Sequence, residues 1–407
     1  MKSTRRVFLL ILVVWSIFTV TGCSTKGCPS NSPGSPGGSS GPSSGTVGGS
    51  VCSSIGGGTG GIGVGSDLVY FVNGSSAGAA TLNGNAFGLV AGFSGPTLAG
   101  FGADDITIVG GKFLYIPQSG SQNVEGFVID RTSGALIAIS GSPFSVPSGS
   151  DTIAADPLGR FLFVGSENSP DIASFQINST TGALTAVLGS HITFAGTSAD
   201  TFAVDGQGKF LYVGQMSNTA PIHAFAIDQN TGALSEIPGS PFPLGIATPH
   251  ADSTGKFLVG VPGFVDEGSP SGDNHIYVFA IDPNTGVPTA VPGSPVPTVN
   301  AAEEFAISPN GKFVYAMEVD GSGNPTTMEG FQMDPNTGAL TALPGSPFTI
   351  LPSTTQCKFD QSGSHMFCAD LLFGSKFIAL TTNSTTGAVS HTVPDLTAPN
   401  FPFAVTN

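Results

Sequence analysis

The chain has 407 residues, of which 58 are Gly and 31 Pro, and only 10% are charged. Both residues are poor in helix interiors, so long helices and coiled coils are excluded. With 40% hydrophobic residues and 30 Phe, a sizeable core can be buried and a wholly disordered chain is excluded as well. The formal charge is −15, and nucleic acid is an unsuitable partner because phosphate binding needs clustered Lys and Arg.

The first segment, residues 1–22, reads as an export signal. Lys2, Arg5 and Arg6 form a basic start, and Val7 to Val20 form an almost unbroken apolar run. That run is short for a membrane span, which needs ~20 apolar residues. The next residues, Val20-Thr-Gly-Cys23, resemble the lipobox of bacterial lipoproteins, in which cleavage before the Cys leaves it lipidated. The resemblance implies an exported protein anchored through Cys23 in the bacterial cell envelope. Ser24 rather than Asp follows the Cys, which in the better-known sorting systems implies the outer membrane. Loss of the leader would leave nine basic residues against 27 acidic ones, a net charge of −18. Residues 23–65 are dominated by Gly, Ser, Pro and Thr, the composition of a flexible tether.

From residue 66 onward the sequence repeats. GKFLY at Gly111, GRFLF at Gly159, GKFLY at Gly208, GKFLV at Gly255, GKFVY at Gly311 and GSHMF at Gly363 are separated by 48, 49, 47, 56 and 52 residues. A degraded copy at Gly65 precedes them, giving seven copies at a period close to that of propeller repeats. Around Gly208 the alternation predicts four strands, Thr201 to Asp205, Lys209 to Gly214, Ile222 to Asp228 and Ala233 to Ile237. Asp205-Gly-Gln-Gly and Asp228-Gln-Asn-Thr-Gly232 join them as tight turns. The expectation is an all-β, seven-bladed β-propeller over residues 66–407, with four antiparallel strands per blade. Its last segment, Pro402 to Asn407, matches the inner-strand segments at Asp200 and Glu303, whereas the first copy lacks an inner strand. The C-terminus is therefore expected to supply that strand and close the ring, removing two exposed edges.

The GKFLY segments, the D-x-N-T-G-A-L turn and the G-S-P-F segments at Gly141, Gly239 and Gly345 resemble the seven-bladed propeller lactonase family, whose members are similar to 6-phosphogluconolactonase and carboxymuconate-cyclising propellers. The motifs are structural, so the resemblance speaks for fold more than for activity. Thr248-Pro-His-Ala-Asp252 matches the PH motif that opens an inner strand in that family, which marks His250 as a proton-transfer candidate. The family's basic D-R-[IV] corresponds here to Asp273-Asn-His-Ile276, and His275 stands where the Arg would be. Loss of that clamp removes the obvious partner of a phosphate or carboxylate, so 6-phosphogluconolactonase activity is not expected.

Loops entering the first strand of each blade and loops joining its second and third strands should share one face. Thirteen acids fall there, among them Asp104, Asp105, Asp151, Asp200, Glu303, Glu304, Glu318 and Asp273, against one base, Lys376. Asp104, Asp151, Asp200 and His275 are the candidate binding residues, and His250 with Glu303 or Glu304 the candidate catalytic set. The bland reading of the acids is solubility, and that of His250 a core histidine satisfied by a backbone carbonyl. Converging carboxylates would suit Ca²⁺, but no EF-hand loop, no transition-metal cage and no G-x-S-x-G elbow is present in the sequence, so no cofactor is required. Three functions stay open: hydrolysis of an uncharged lactone by His- and carboxylate-activated water, non-catalytic binding of a small neutral ligand, glycan, peptide or protein by a monomer at the acidic face, and a structural envelope role.

Cysteines complete the reading. Pairing Asp360 with His365 across the hairpin sets Cys357 opposite Cys368. Directly opposed residues bring their Cβ atoms within ~4.5 to 5.5 Å, close to what a disulfide needs. Export makes the bond chemically reasonable, and no register is available for Cys28 and Cys52.

Overall fold

The computed structural model describes residues 67–406 apart from 74, 85, 92, 99–102, 104, 147–148, 190, 216–220, 263, 267–268, 271–272, 321–324, 349–353, 371–375 and 398–401. The leader, Cys23, the tether and Asp104 lie outside the described residues. Seven antiparallel blades follow one another around a ring, each with its innermost strand first in the chain order of the repeat. Blade 4 shows the plan: Thr201–Val204, Phe210–Gly214, His223–Ile227 and Leu234–Glu236 pair in that order from the axis outward. These strands match the predicted ones to within a residue or so at each end, because Asp205 and Asp228 terminate them. Asp205 Oδ1 accepts from the backbone N–H of Phe210 at 2.7 Å, and Asp228 Oδ1 accepts from Asn230 and Thr231 at 3.0 and 2.8 Å. Gly232 then takes φ +78°, a conformation that β-carbon-bearing residues rarely adopt.

The second strands are buried along their whole length, as expected when both faces of a blade pack against neighbouring blades. The joints between blades reuse one device. The Phe that opens a second strand lies against the turn Gly of the next blade, as Phe210 does at Gly286 and Phe313 at Gly387, where even a methyl group would collide at 2.5 and 2.7 Å. In three blades a Tyr two residues later donates its hydroxyl to that same glycine carbonyl, Tyr115 to Gly182, Tyr212 to Gly286 and Tyr315 to Gly387, and in blade 1, where Leu68 stands in place of the Phe, Tyr70 donates to Gly134, all at 2.6–2.7 Å. Buried phenols need such a partner, and the repeat supplies it in register. In the G-S-P segments the Ser hydroxyl serves the third strand, with Ser142 and Ser240 Oγ accepting from the N–H of Gly126 and Ala224.

Closure follows the expectation. Phe403–Val405 is the inner strand of blade 1 and pairs with Asp67–Asn73 in the register Phe71↔Phe403, Tyr70↔Ala404 and Val69↔Val405. Thr406 replaces the hairpin Asp of other blades: its N–H donates to the Leu68 carbonyl at 2.7 Å and its Oγ1 accepts from Leu68 N–H at 3.1 Å. In blade 7, Cys357 and Cys368 are directly paired and joined by a disulfide with Cα atoms 4.1 Å apart. The register argument thus located the bond correctly.

Candidate functional site

Aligning the inner strands on the hairpin residue that caps them places Ala154, Ala203, Ala306 and Ala404 at one level of the ring, two residues before Asp156, Asp205, Ser308 and Thr406. Blade 2 has Thr107 at this level, and the two remaining blades carry a large ionisable side chain there. Blade 5 has His250 there and blade 7 has Lys358. Between them, blade 6 contributes Glu303 and Glu304 from Ala301–Ile307. A histidine, two carboxyls and an amine therefore arise from three consecutive inner strands at the channel. His250 lines a cavity of about 260 Å³ together with Phe202, Ala203, Val204, Ala251 and Ile307. A second cavity of about 250 Å³ begins at the same Val204, Ala251 and Ile307 and ends among the hairpins at Pro157, Ser253 and Pro309.

Glu303 owes its orientation to a bulge. Ala302 pairs with Glu318 and Glu304 with Met317, so Glu303 is the extra residue of the strand, a device that re-aims side chains. Its Oε1 is buried without a hydrogen-bond partner. Burial, reinforced by the neighbouring Glu304, pushes its pKa up to about 8. His250 packs its ring on Phe305, with centroids 4.5 Å apart. Its ring keeps some contact with solvent but is hemmed in by protein, as on the wall of a narrow channel. That burial, followed by the nearby Lys358 charge and opposed by Asp105, pushes its pKa down to about 4. Among the described residues neither ring nitrogen makes a hydrogen bond, so the backbone-carbonyl role foreseen as the bland alternative is not the one adopted. Lys358 Nζ lies 3.2 Å from Asp105 Oδ1 and 5.6 Å from the centre of the Phe403 ring.

The acidic face needs correction. Asp151 and Asp200 are 1% and 7% exposed, and Glu318 is wholly buried. Asp151 Oδ1 accepts from Glu167 N–H at 2.8 Å, and Asp200 Oδ2 from the Ser198 hydroxyl at 2.8 Å. Both are buried and hold their own loops through these bonds instead of presenting charge to solvent. Glu318 lies in a strand, not a loop, and accepts from Asn300 N–H and the Thr327 hydroxyl at 3.2 and 2.6 Å. Its partner Glu329 has its pKa raised to about 7 by burial and by Glu318. His275 sits farther out, on the third strand of blade 5. Its Nδ1 lies 2.5 Å from Asp273 Oδ1, and Tyr277 donates to Asp273 Oδ2 at 2.7 Å. His250 lines the cavity and Glu303 stands on the inner strand of the next blade, while Asp151, Asp200 and His275 make local contacts within their own loops and strands. Lys358 escaped the sequence reading because only the loops were searched for bases; its signal is the departure from Ala at that repeat position.

Seven antiparallel blades, the first of them closed by the C-terminal strand, define the class as a β-propeller. Residues 90–194 and 153–246 match the family model described as "Lactonase, 7-bladed beta-propeller", so that part of the chain is similar to lactonase-family propellers. Among solved structures it is similar to the periplasmic gluconolactonase of Pseudomonas aeruginosa, at 12% identity and a TM-score of 0.63 over 84% of this chain and 98% of that one. It is also similar to a Bacteroides fragilis protein named "putative 6-phosphogluconolactonase", at 16% identity and a TM-score of 0.62 over 84% of this chain and 98% of that one. At such identities the likeness is one of fold. No curated protein matches the chain.

Proposed function

We propose that the protein hydrolyses an uncharged lactone at the axial channel, with Glu303 as the proton acceptor for the attacking water and His250 as the group that orients it. The observation that carries this reading is the bulge in the inner strand of blade 6 at Glu303, whose Oε1 is buried without a hydrogen-bond partner and whose pKa is about 8. A general base works best with a pKa near the working pH, and Glu303 meets that condition where His250, at about 4, is a weak base that remains a neutral hydrogen-bonding group. Water attacks the lactone carbonyl, the carboxylate takes its proton, and the ring oxygen leaves as the hydroxyl after receiving that proton. In this reading the Lys358 charge favours the developing oxyanion, tempered by its pairing with Asp105. Neither Asp273 nor His275 offers the Arg-like fork that a phosphorylated substrate would need, so neutral sugar lactones are the favoured class.

The experiment is a panel of neutral and phosphorylated lactones assayed with wild type and His250→Ala. Turnover of a neutral lactone that falls at least tenfold in His250→Ala supports the reading. Saturable binding without turnover of any lactone supports the second reading, a binding propeller, which the small volume of the cavity favours.

Export and anchoring through Cys23 complete the proposal, on the lipobox-like Val20-Thr-Gly-Cys23. Cys23→Ser should move the protein from the membrane fraction to the soluble one or block its processing; unchanged fractionation of that variant rules the anchor out.

A further inference from the structure

The joint between blades 7 and 1 is built unlike the others. In blades 2 to 6 the residue opening the second strand is Phe113, Phe161, Phe210, Phe257 or Phe313, each packed on the turn Gly of the next blade. In blade 7 that residue is His365, and blade 1 meets it with Asp67, the first residue of its own strand. The capping Asp360 of the blade 7 hairpin is the third member. His365 Nδ1 lies 3.3 Å from Asp67 Oδ2 and 3.4 Å from Asp360 Oδ2, and the three atoms lie within 4.8 Å of one another. An apolar joint has become a converging set of two carboxylates and an imidazole.

We propose that Asp67, Asp360 and His365 form a Zn²⁺ site that staples the closing seam of the ring. Spacing is the first argument. Two ligands bound ~2.1 Å from a tetrahedral zinc stand about 3.4 Å apart, which is the separation found from Nδ1 to each carboxylate. The second argument is that Nδ1 is buried and faces both carboxylates at once, 3.3 and 3.4 Å from their nearer oxygens, so the three atoms are turned towards one another. Third, the cluster is already held in place. Asp360 Oδ1 accepts from His365 N–H at 3.1 Å and its Oδ2 from the Ser362 hydroxyl at 2.6 Å, so the hairpin fixes both ligands from blade 7, and such supporting contacts orient metal ligands. Imidazole plus carboxylate is a ligand set that suits a borderline divalent ion, and the two negative charges match its charge. A fourth position would be left for water. The site lies in the joint between blade 7 and blade 1, the blade in which both ends of the propeller pair, so zinc would bind the closed ring and not the opened one, raising its stability by mass action.

The test uses the full chain stripped with EDTA and titrated with Zn²⁺ by calorimetry and thermal melting, beside His365→Phe, which restores the residue of the other blades, and Asp67→Asn. The expected result is one Zn²⁺ per chain and a rise in Tm that both variants lose, with at least tenfold weaker binding in each. Absence of a bound equivalent in the wild type overturns the proposal and leaves an ion pair only. The same outcome for the proposal follows if the variants bind Zn²⁺ as the wild type does, since the ion would then sit elsewhere. Should His365→Phe fail to fold, Asp67→Asn, which keeps the volume of the side chain, decides.

Discussion

Truncation after Thr397 should lower the unfolding temperature by roughly ten degrees or more, because it removes the inner strand of blade 1. Phe403 is fully buried, and its ring meets Phe377 edge-on with centroids 5.0 Å apart. Replacing such a Phe by Ala alone typically costs ~3–5 kcal/mol, and at roughly 2–4 °C per kcal/mol for chains approaching this size that is a large shift by itself. Truncation adds the loss of the ladder to Val69–Phe71 and of both Thr406 bonds to Leu68, and it exposes an unpaired strand edge. The melt of residues 1–397 beside Phe403→Ala measures this. A truncated chain that melts with the full one would show that closure contributes nothing, and equal losses in the two variants would confine the effect to the one side chain.

Glu303→Gln should separate chemistry from stability. If the carboxylate is the base, the wild-type rate rises with pH to a plateau above about 8, and the Gln variant loses that limb together with ~10²- to 10⁴-fold of activity. Stability runs the other way. The carboxyl has an ordinary value of 4.5 and a folded value of about 8, so between these the folded state holds the proton more firmly than the unfolded one. Stability contributed by the protonated form is then complete below about pH 4.5 and is lost as pH rises towards 8. Glu303→Gln should therefore remove part of the fall in Tm over that window and be relatively more stable at pH 8, by on the order of 2 kcal/mol once solvent access to the channel is discounted. A variant with an unaltered pH–rate profile removes Glu303 from the reaction, and one with an unaltered pH–stability profile removes its raised pKa.

Much of the architecture is legible in the chain because a propeller is a one-dimensional code. Each blade repeats a short-range grammar of Asx turns, positive-φ glycines and alternating apolar residues, and a hairpin register depends only on its own turn. That locality is why counting outward from Asp360 and His365 was enough to set Cys357 against Cys368. It is also why the orphan segment at the C-terminus could be assigned to the incomplete first blade.

The site was less legible, and the reason is burial. Sequence marks Asp151, Asp200 and Glu318 as acids near loops, but whether a carboxylate faces water or a neighbouring N–H depends on contacts between segments. Asp200, for instance, has its backbone carbonyl tied to the Thr152 hydroxyl of the preceding blade at 2.7 Å, a relation no single repeat contains. The sequence by itself determined the number of blades, their turns, the closing strand and the disulfide, since these follow from local periodicity and strand register. Only the tertiary structure decided which charges meet: Lys358 with Asp105 and near His250, Glu303 beside Glu304, and Asp67 with Asp360 and His365 at the seam. Those groups are spread over several blades, and their proximity is set by the packing of blade on blade and not by any single repeat.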